Sequence, residues 1–221
     1  MKEIVIYGAG SFARMMRLYL DRVKGQKVVA FCVDEVFKRD MSSFDDLPLV
    51  AFENIDRLYP KDRFLMFVAV GYSRMRNRRS MYEKACFKGY QFVNYIDSSA
   101  ILDETVILGN NNVVLIGSVL EPFSRLGDNN IIWSSVTISH DVDIGSHCFF
   151  ASQTLLGGNC KVEDNCFFGF NSTCVQDTVI KTESMIGSKS LVLSNTDEFS
   201  KNLGIPAKLI SSHRDKGIVV A

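Results

Sequence analysis

The chain has 221 residues, 25 basic side chains against 25 acidic ones, 47% hydrophobic residues and six cysteines. That length suggests one large domain or two small ones, either able to bury a core. The balanced charge sets up no global field for nucleic acid or an anionic membrane, and there is no apolar signal segment or run of about 20 apolar residues, so a soluble cytoplasmic protein is expected.

Lys2 to Tyr7 is a β-rich run, followed by Gly8-Ala-Gly10-Ser11-Phe-Ala13 and by Arg14 to Val23, with Met15, Met16, Leu18, Tyr19 and Val23 at helical spacing. Strand, glycine turn and helix open a βαβ unit. Lys27 to Val33 reads as a second strand ending at Asp34-Glu35. Arg63 to Val70 reads as a buried strand into Gly71, Ser73 to Lys88 as a helix and Tyr90 to Ile96 as a last strand. Residues 1–97 therefore read as a small Rossmann-like α/β domain. Gly8, Gly10 and Ala13 fit GxGxxG/A, whose backbone approaches a phosphate at a helix N-terminus. Asp34 stands where such folds set a carboxylate on a ribose hydroxyl. About 95 residues is short for a complete dinucleotide domain, which points to one nucleotide half rather than NAD. Gly8, Gly10, Ser11, Asp34, Glu35 and Gly71 are the candidate nucleotide contacts. The run Arg74-Met-Arg76-Asn-Arg78-Arg79 reads as a phosphate contact or as a solvated helix face.

Around Asp97-Ser-Ser-Ala100 the helical period ends and a period of six begins. Every sixth residue from Leu102 to Val192, 16 stations in all, is apolar. Beside each station a Gly, Ala or Ser recurs, and four residues after it stands a mostly small residue. One large and one small inward residue per hexad, with turns between, describe one flat side of a triangular prism. Three sides make a coil of 18 residues, and stacked coils pair their backbones at about 4.8 Å. Cys174 falls on a station and Cys148, Cys160 and Cys166 four residues after one. They are expected as buried packing residues, since neither metal-type spacing nor a secretory context accompanies them.

His140 stands two residues past station Ile138, near a corner and facing out. One coil further, the same place is Gly158, preceded by Gly157. A side chain able to take a proton thus lies about one β spacing from a bare backbone. That suits acyl transfer: the imidazole accepts a proton from an attacking amine or hydroxyl while the Gly158 N–H points at the thioester oxygen.

These features together resemble the hexapeptide-repeat acyltransferases. The closer resemblance is to sugar acyltransferases with an N-terminal Rossmann-like half, such as bacterial sialic-acid O-acetyltransferases and UDP-4-amino-sugar (bacillosamine-type) N-acetyltransferases. It rests on the Tyr7-Gly-Ala-Gly10 start, Val68-Ala-Val-Gly71, Asn94-x-Ile96-Asp-x-Ser-Ala100, Ser139-His140-Asp141, Asn165-Cys-Phe-Phe-Gly169-x-Asn171-Ser and Gly204-Ile-Pro206-Ala-Lys208. The resemblance implies an all-β left-handed parallel β-helix over residues 98–221, ending in a tail that contacts coenzyme A. It implies acetyl-CoA as donor, no metal, a nucleotide-linked amino sugar from bacterial surface-glycan biosynthesis as acceptor, and a homotrimer with active sites between neighbouring β-helices. His140 would be the general base, with Asp141 orienting it. Adjacent residues on an extended strand face opposite ways, so Asp141 needs a turn, and Asp143 is the alternative. Gly157, Gly158, Trp133, Phe149, Gly204, Pro206 and Lys208 would meet the acyl donor. Bacillosamine-type enzymes carry a second histidine nine residues after the first, where Phe149 stands here. His147, only seven after, reads as a corner residue or as a contact to donor or sugar. Trp133 would stack on a ring, wall off the acyl pocket or pack between subunits.

Other functions stay open on these residues. O-acetylation of sialic acid or another surface sugar uses the same base, and a non-catalytic nucleotide-sugar-binding trimer would share the fold. A γ-type carbonic anhydrase needs three histidines on zinc, but His213 lies outside the repeat, leaving two.

Overall fold

The computed structural model describes residues 2–220. Met1 and Ala221, the ends of the two expected domains, lie outside the described residues. Residues 2–71 with 77–94 form one compact unit, and 72–76 with 95–220 form the other.

In the first unit β1 (Lys2–Tyr7), α1 (Ser11–Arg22), β2 (Gln26–Val33) and α2 (Glu35–Lys38) follow one another. They lead to the hairpin β3 (Ser43–Phe44) and β4 (Leu47–Ala51), then to α3 (Ile55–Leu58), β5 (Phe64–Val68) and α4 (Met75–Phe87). The sheet order is β3-β4-β2-β1-β5, parallel except for the β3/β4 pair. Alternation puts Val5 and Tyr7 on one face, packed with Cys32, Met66 and Val68 and with Tyr82 and Ala85 of α4. α1 lies against β1 and β2 and buries Ala13, Met16 and Leu20 at helical spacing. The strand expected over Tyr90–Ile96 is divided. Phe92 makes a single parallel bridge to Met66, whereas Tyr95–Ile96 pairs with Val113–Val114 as the first rung of the repeat. Tyr95 stands 18 residues before Val113, so the register of the repeat captures it.

The second unit is three sheets of parallel two-residue strands, the third closed at its end by the longer antiparallel pair Ser200–Leu203 and Lys208–Ser212. The first contains Ile101–Leu102, Thr137–Ile138 and Leu155–Leu156, the second Asp143–Ile144 and Lys161–Val162, and the third Phe149–Phe150 and Phe167–Phe168. Each strand pairs with the strand 18 residues on, as Ile138 with Leu156, Ile144 with Val162 and Phe150 with Phe168. These successive sheets fit a left-handed parallel β-helix. The stations from Val114 to Val192 are buried in one continuous core, joined by Val136, Val142, Cys148, Cys160 and Cys166. Phe150 stacks on Phe168 with ring centroids 4.6 Å apart. Each such large side chain stabilises the stack by about 1.5–3 kcal/mol. No disulfide joins any of the six cysteines, and those of the repeat are buried as packing residues. Small polar residues line the lumen too, and their bonds run along its axis: Asn112 Oδ1 accepts from Asn130 N and Asn130 Oδ1 from Cys148 N, both at 2.8 Å.

From Asn111 to Lys189 every corner is turned by a residue of positive φ. One corner has Asn111, Asn129, His147, Asn165 and Glu183, the next Gly117, Ser135, Gln153, Asn171 and Lys189, and the third Phe123, Asp141, Asn159 and Asp177. Asn, Asp and Gly tolerate this left-handed conformation best, and they hold most of these places.

Residues 72–76 cross the third sheet. Tyr72 packs at a tilt against Phe149 and Phe167, with ring centroids 4.4 and 5.8 Å apart, and Arg76 Nε pairs with both oxygens of Glu183 at 3.0 and 3.1 Å. The C-terminal tail holds the crossing from outside: Val220 N donates to Ser73 O and Met75 N to Ile218 O. Arg76 is thus ion-paired and Arg78 is fully buried, whereas Arg74 is exposed and Arg79 pairs with Glu83 on the solvent side of α4. Among the described residues no helix is long and apolar enough to cross a membrane, and no group of three His, Cys, Asp or Glu is set to hold a metal.

Candidate active site

His140 is the last residue before the third corner. Its N–H donates to Glu121 Oε2 at 2.9 Å, its carbonyl accepts from Asn159 N at 3.0 Å, and the next amide, Asp141 N, donates to Pro122 O at 3.0 Å. The coils on both sides therefore fix its backbone. Asp141 has φ +58°, and this turn brings its carboxylate back to the imidazole, with Oδ2 3.0 Å from His140 Nδ1. A carboxylate only accepts, so Nδ1 carries the proton and Nε2 presents its lone pair. The two side chains are 56% and 52% exposed, so their pairing adds orientation rather than stability. Asp143 begins the second-sheet strand beyond the corner and has no hydrogen bond to His140 among the described residues.

The imidazole occupies the place a side chain at residue 158 would fill. A Cβ on Gly158 would stand 2.6 Å from His140 Cε1 and 2.7 Å from Nε2. Gly158 is buried, and its N–H has no acceptor among the described residues. One coil earlier the equivalent amide, of His140 itself, is taken by Glu121. The corresponding place one coil on is Ser139, whose shorter side chain makes no such bond. An open N–H and a basic nitrogen thus adjoin on one edge, the pair that acyl transfer requires. Gly157 serves the stacking of coils: a Cβ there would stand 2.5 Å from Gln176 N.

Gly204 and Pro206 lie in the exposed turn between the strands Ser200–Leu203 and Lys208–Ser212, and Lys208 begins the second of these. The turn seals the last coil: Gly204 N donates to Ser190 Oγ at 3.0 Å and Ala207 N to Leu191 O at 2.7 Å. His140 lies three coils before that end, roughly 14 Å at ~4.8 Å per coil.

Trp133 and Phe149 are not brought to His140. They belong to the third sheet, opposite the corner that His140 adjoins, with ring centroids 6.3 Å apart. Phe149 is covered by Tyr72 and stacked on Phe167, a packing role within its own chain. His147 is a buried corner residue, its Nδ1 3.0 Å from Asn129 Nδ2.

In the first unit Gly8, Gly10, Asp34 and Gly71 gather at the C-terminal edge of the parallel sheet. β1 lies between β2 and β5, so the chain leaves it in opposite directions, the crevice where such sheets bind ligands. Gly8 has φ +133°, and a Cβ there would stand 2.4 Å from Ala69 O. Gly10 caps α1, with open space where its Cβ would be and no acidic residue in the first turn beyond it, which favours an anion. Ser11 begins that helix and is exposed. Gly71 also faces open space. Asp34 is engaged: one oxygen accepts from Tyr7 Oη, the other lies 2.7 Å from Lys84 Nζ. Burial, then the Asp34 carboxylate, pushes the Tyr7 phenol far up, so Tyr7 remains the donor. Glu35 is exposed and begins α2, its N–H bonded to Glu53 Oε2 at 2.9 Å.

Comparison with known proteins places this architecture. No family model matches the chain, and no curated protein matches it significantly. Solved structures do. The acetyltransferase domain of PglB from Neisseria gonorrhoeae superposes with a TM-score of 0.83 at 22% identity, over 95% of this chain and 100% of that one. PerB from Caulobacter crescentus, in complex with CoA and GDP-perosamine, gives 0.84 at 24% identity over 96% and 98%. WeeI from Acinetobacter baumannii gives 0.68 at 19% identity over 95% and 100%. At these identities the likeness establishes a shared fold across both units. A perosamine N-acetyltransferase from Caulobacter crescentus has also been crystallised with CoA and GDP-perosamine after replacement of one histidine by asparagine.

Proposed function

We propose that this chain is an acetyl-CoA-dependent N-acetyltransferase acting on a nucleotide-linked amino sugar of bacterial surface-glycan biosynthesis. The observation that carries the reading is His140 Nε2 lying against the bare backbone of Gly158, with Nδ1 held by Asp141. The CoA and GDP-perosamine bound by PerB, which has the same fold, support it.

The sugar's neutral amine attacks the thioester carbonyl carbon as His140 Nε2 takes its proton. The developing oxyanion accepts a hydrogen bond from Gly158 N–H, and Asp141 stabilises the imidazolium. When the tetrahedral intermediate collapses, the carbon–sulfur bond breaks and the imidazolium returns the proton to the departing thiolate. In this reading a Rossmann-like domain, residues 1–97, holds the nucleotide sugar. Gly8, Gly10, Ser11 and Gly71 surround the phosphates, and Asp34, held by Tyr7 and Lys84, meets the ribose with Glu35 beside it. The β-helix of residues 98–221 carries the transfer, and the turn at Gly204, Pro206 and Lys208 lies along coenzyme A. A cytoplasmic homotrimer, with the flat outer faces as interfaces, completes the reading.

The test is acetyl-CoA thiol release with a panel of GDP-, UDP- and dTDP-linked 4-amino sugars. His140→Ala should lower turnover by about 10²- to 10⁴-fold. Near-normal turnover in that variant overturns the assignment.

A further inference from the structure

We propose that Glu121 is a positioning residue for the His140 base. This rests on the reading of His140 given above. Glu121 lies on the coil before His140, and its Oε2 accepts the His140 N–H at 2.9 Å. Its own backbone is tied down: Glu121 N donates to Ile138 O at 2.9 Å, and its carbonyl accepts from Ser124 Oγ at 2.8 Å. The carboxylate therefore reaches across one coil from a fixed origin to a fixed target.

The bond fills a gap in the ladder. Amides just before the corners lack a main-chain partner in the neighbouring coil, and at several of them a side chain supplies one. Asn110 N bonds Asp128 Oδ1 and Ser146 N bonds Asp164 Oδ1. Glu163 does for Thr182 what Glu121 does for His140, with Oε2 2.9 Å from Thr182 N. Glu163 is also paired with Lys181 Nζ at 2.9 Å, while no basic side chain pairs with Glu121 among the described residues. A bond to a carboxylate is shorter and stronger than one to a neutral acceptor. Here it holds the Cα from which the imidazole is hung over Gly158. Asp141 then sets the ring's rotation, so two carboxylates divide the placement, one acting on the backbone and one on the ring. A displacement of about 1 Å at such a group costs on the order of 10²-fold in rate.

The experiment compares Glu121→Ala, Glu121→Gln and His140→Ala with the unmodified protein. Acetyl-CoA thiol release is measured with GDP-perosamine as probe acceptor, alongside thermal unfolding and crystal structures of each variant. Glu121→Ala should lower kcat 30- to 100-fold with KM changed less than three-fold, an unfolding midpoint near that of the parent, and the imidazole displaced from Gly158. Glu121→Gln, whose amide oxygen still accepts the N–H, should recover kcat to within about five-fold. A Glu121→Ala protein with an unmoved ring and kcat within three-fold of the parent overturns the proposal, as does a Gln variant no better than Ala. If His140→Ala stays active, the base assignment fails and Glu121 falls with it. If His140→Ala is inactive and Glu121→Ala active, only the role of Glu121 fails. Should the probe acceptor not turn over, ring position alone decides: displaced supports the proposal, unmoved overturns it.

Discussion

His140 and Gly158 are the same position in consecutive coils, and the imidazole of the first fills the space left by the second. A Cβ at residue 158 would lie 2.7 Å from Nε2, the atom that takes the proton.

Gly158→Ala should therefore act on chemistry more than on stability. Gly158 does not need a left-handed backbone, since its φ is not among the positive ones, so alanine fits the chain but expels the ring. Turnover is expected to fall at least 10²-fold while the unfolding midpoint moves by a few degrees. Steady-state kinetics beside calorimetry checks this, and full activity would show that the ring has no need of that place.

Asp141 has two duties, and a substitution can separate them. Asn accepts the +58° corner readily but no longer carries the charge that fixes the tautomer of His140. Asp141→Asn should fold like the parent and lose roughly 10- to 10³-fold in kcat. Asp141→Val should lose stability as well, by about 1–3 kcal/mol, because a β-branched residue is strained there. Denaturant titration of the pair separates the effects.

Gly8→Ala should destabilise the first unit by about 3 kcal/mol, from a Cβ 2.4 Å from Ala69 O combined with φ +133°. Gly71→Ala, whose Cβ faces open space, should leave stability almost unchanged. Equal effects on unfolding would contradict this account of the crevice.

Thiol labelling tests the packing of the cysteines. Cys86 is exposed and the other five are buried. Burial pushes the thiols of Cys32, Cys166 and Cys174 well up, so they remain protonated as well as covered. A disulfide reagent should titrate about one thiol in the native protein and six after denaturation. A second fast thiol would reveal an opening in the stack.

The core of the second unit was legible because the lumen admits only apolar or small side chains at fixed phase, and Leu120, Ile138, Leu156 and Val192 all lie where the period puts them. The register of His140 over Gly158 followed from the same arithmetic. The corners left a weaker trace, in Asn, Asp or Gly three residues after a station, as at Asn111, Gly117, Asn129 and Asp141. That trace would have favoured Asp141 over Asp143 as the partner of His140. Spacings of seven and nine residues from His140 put Trp133 and Phe149 at the third sheet, across the prism from the corner His140 adjoins, so within one chain they do not share its edge. The crossing of Tyr72 over Phe149 joins residues with no periodic relation, and such a contact has no signature in a linear pattern.

The pairing of strands 18 residues apart has a further consequence. A residue's place in this stack has two coordinates, its height and its compass bearing, and chain length changes them differently. Eighteen residues inserted below His140 would raise it by a storey and leave it facing the same way. Six would send it, together with the Gly158 above it, to another edge of the stack. Drift in length along such a chain is thus free in whole turns and forbidden in thirds.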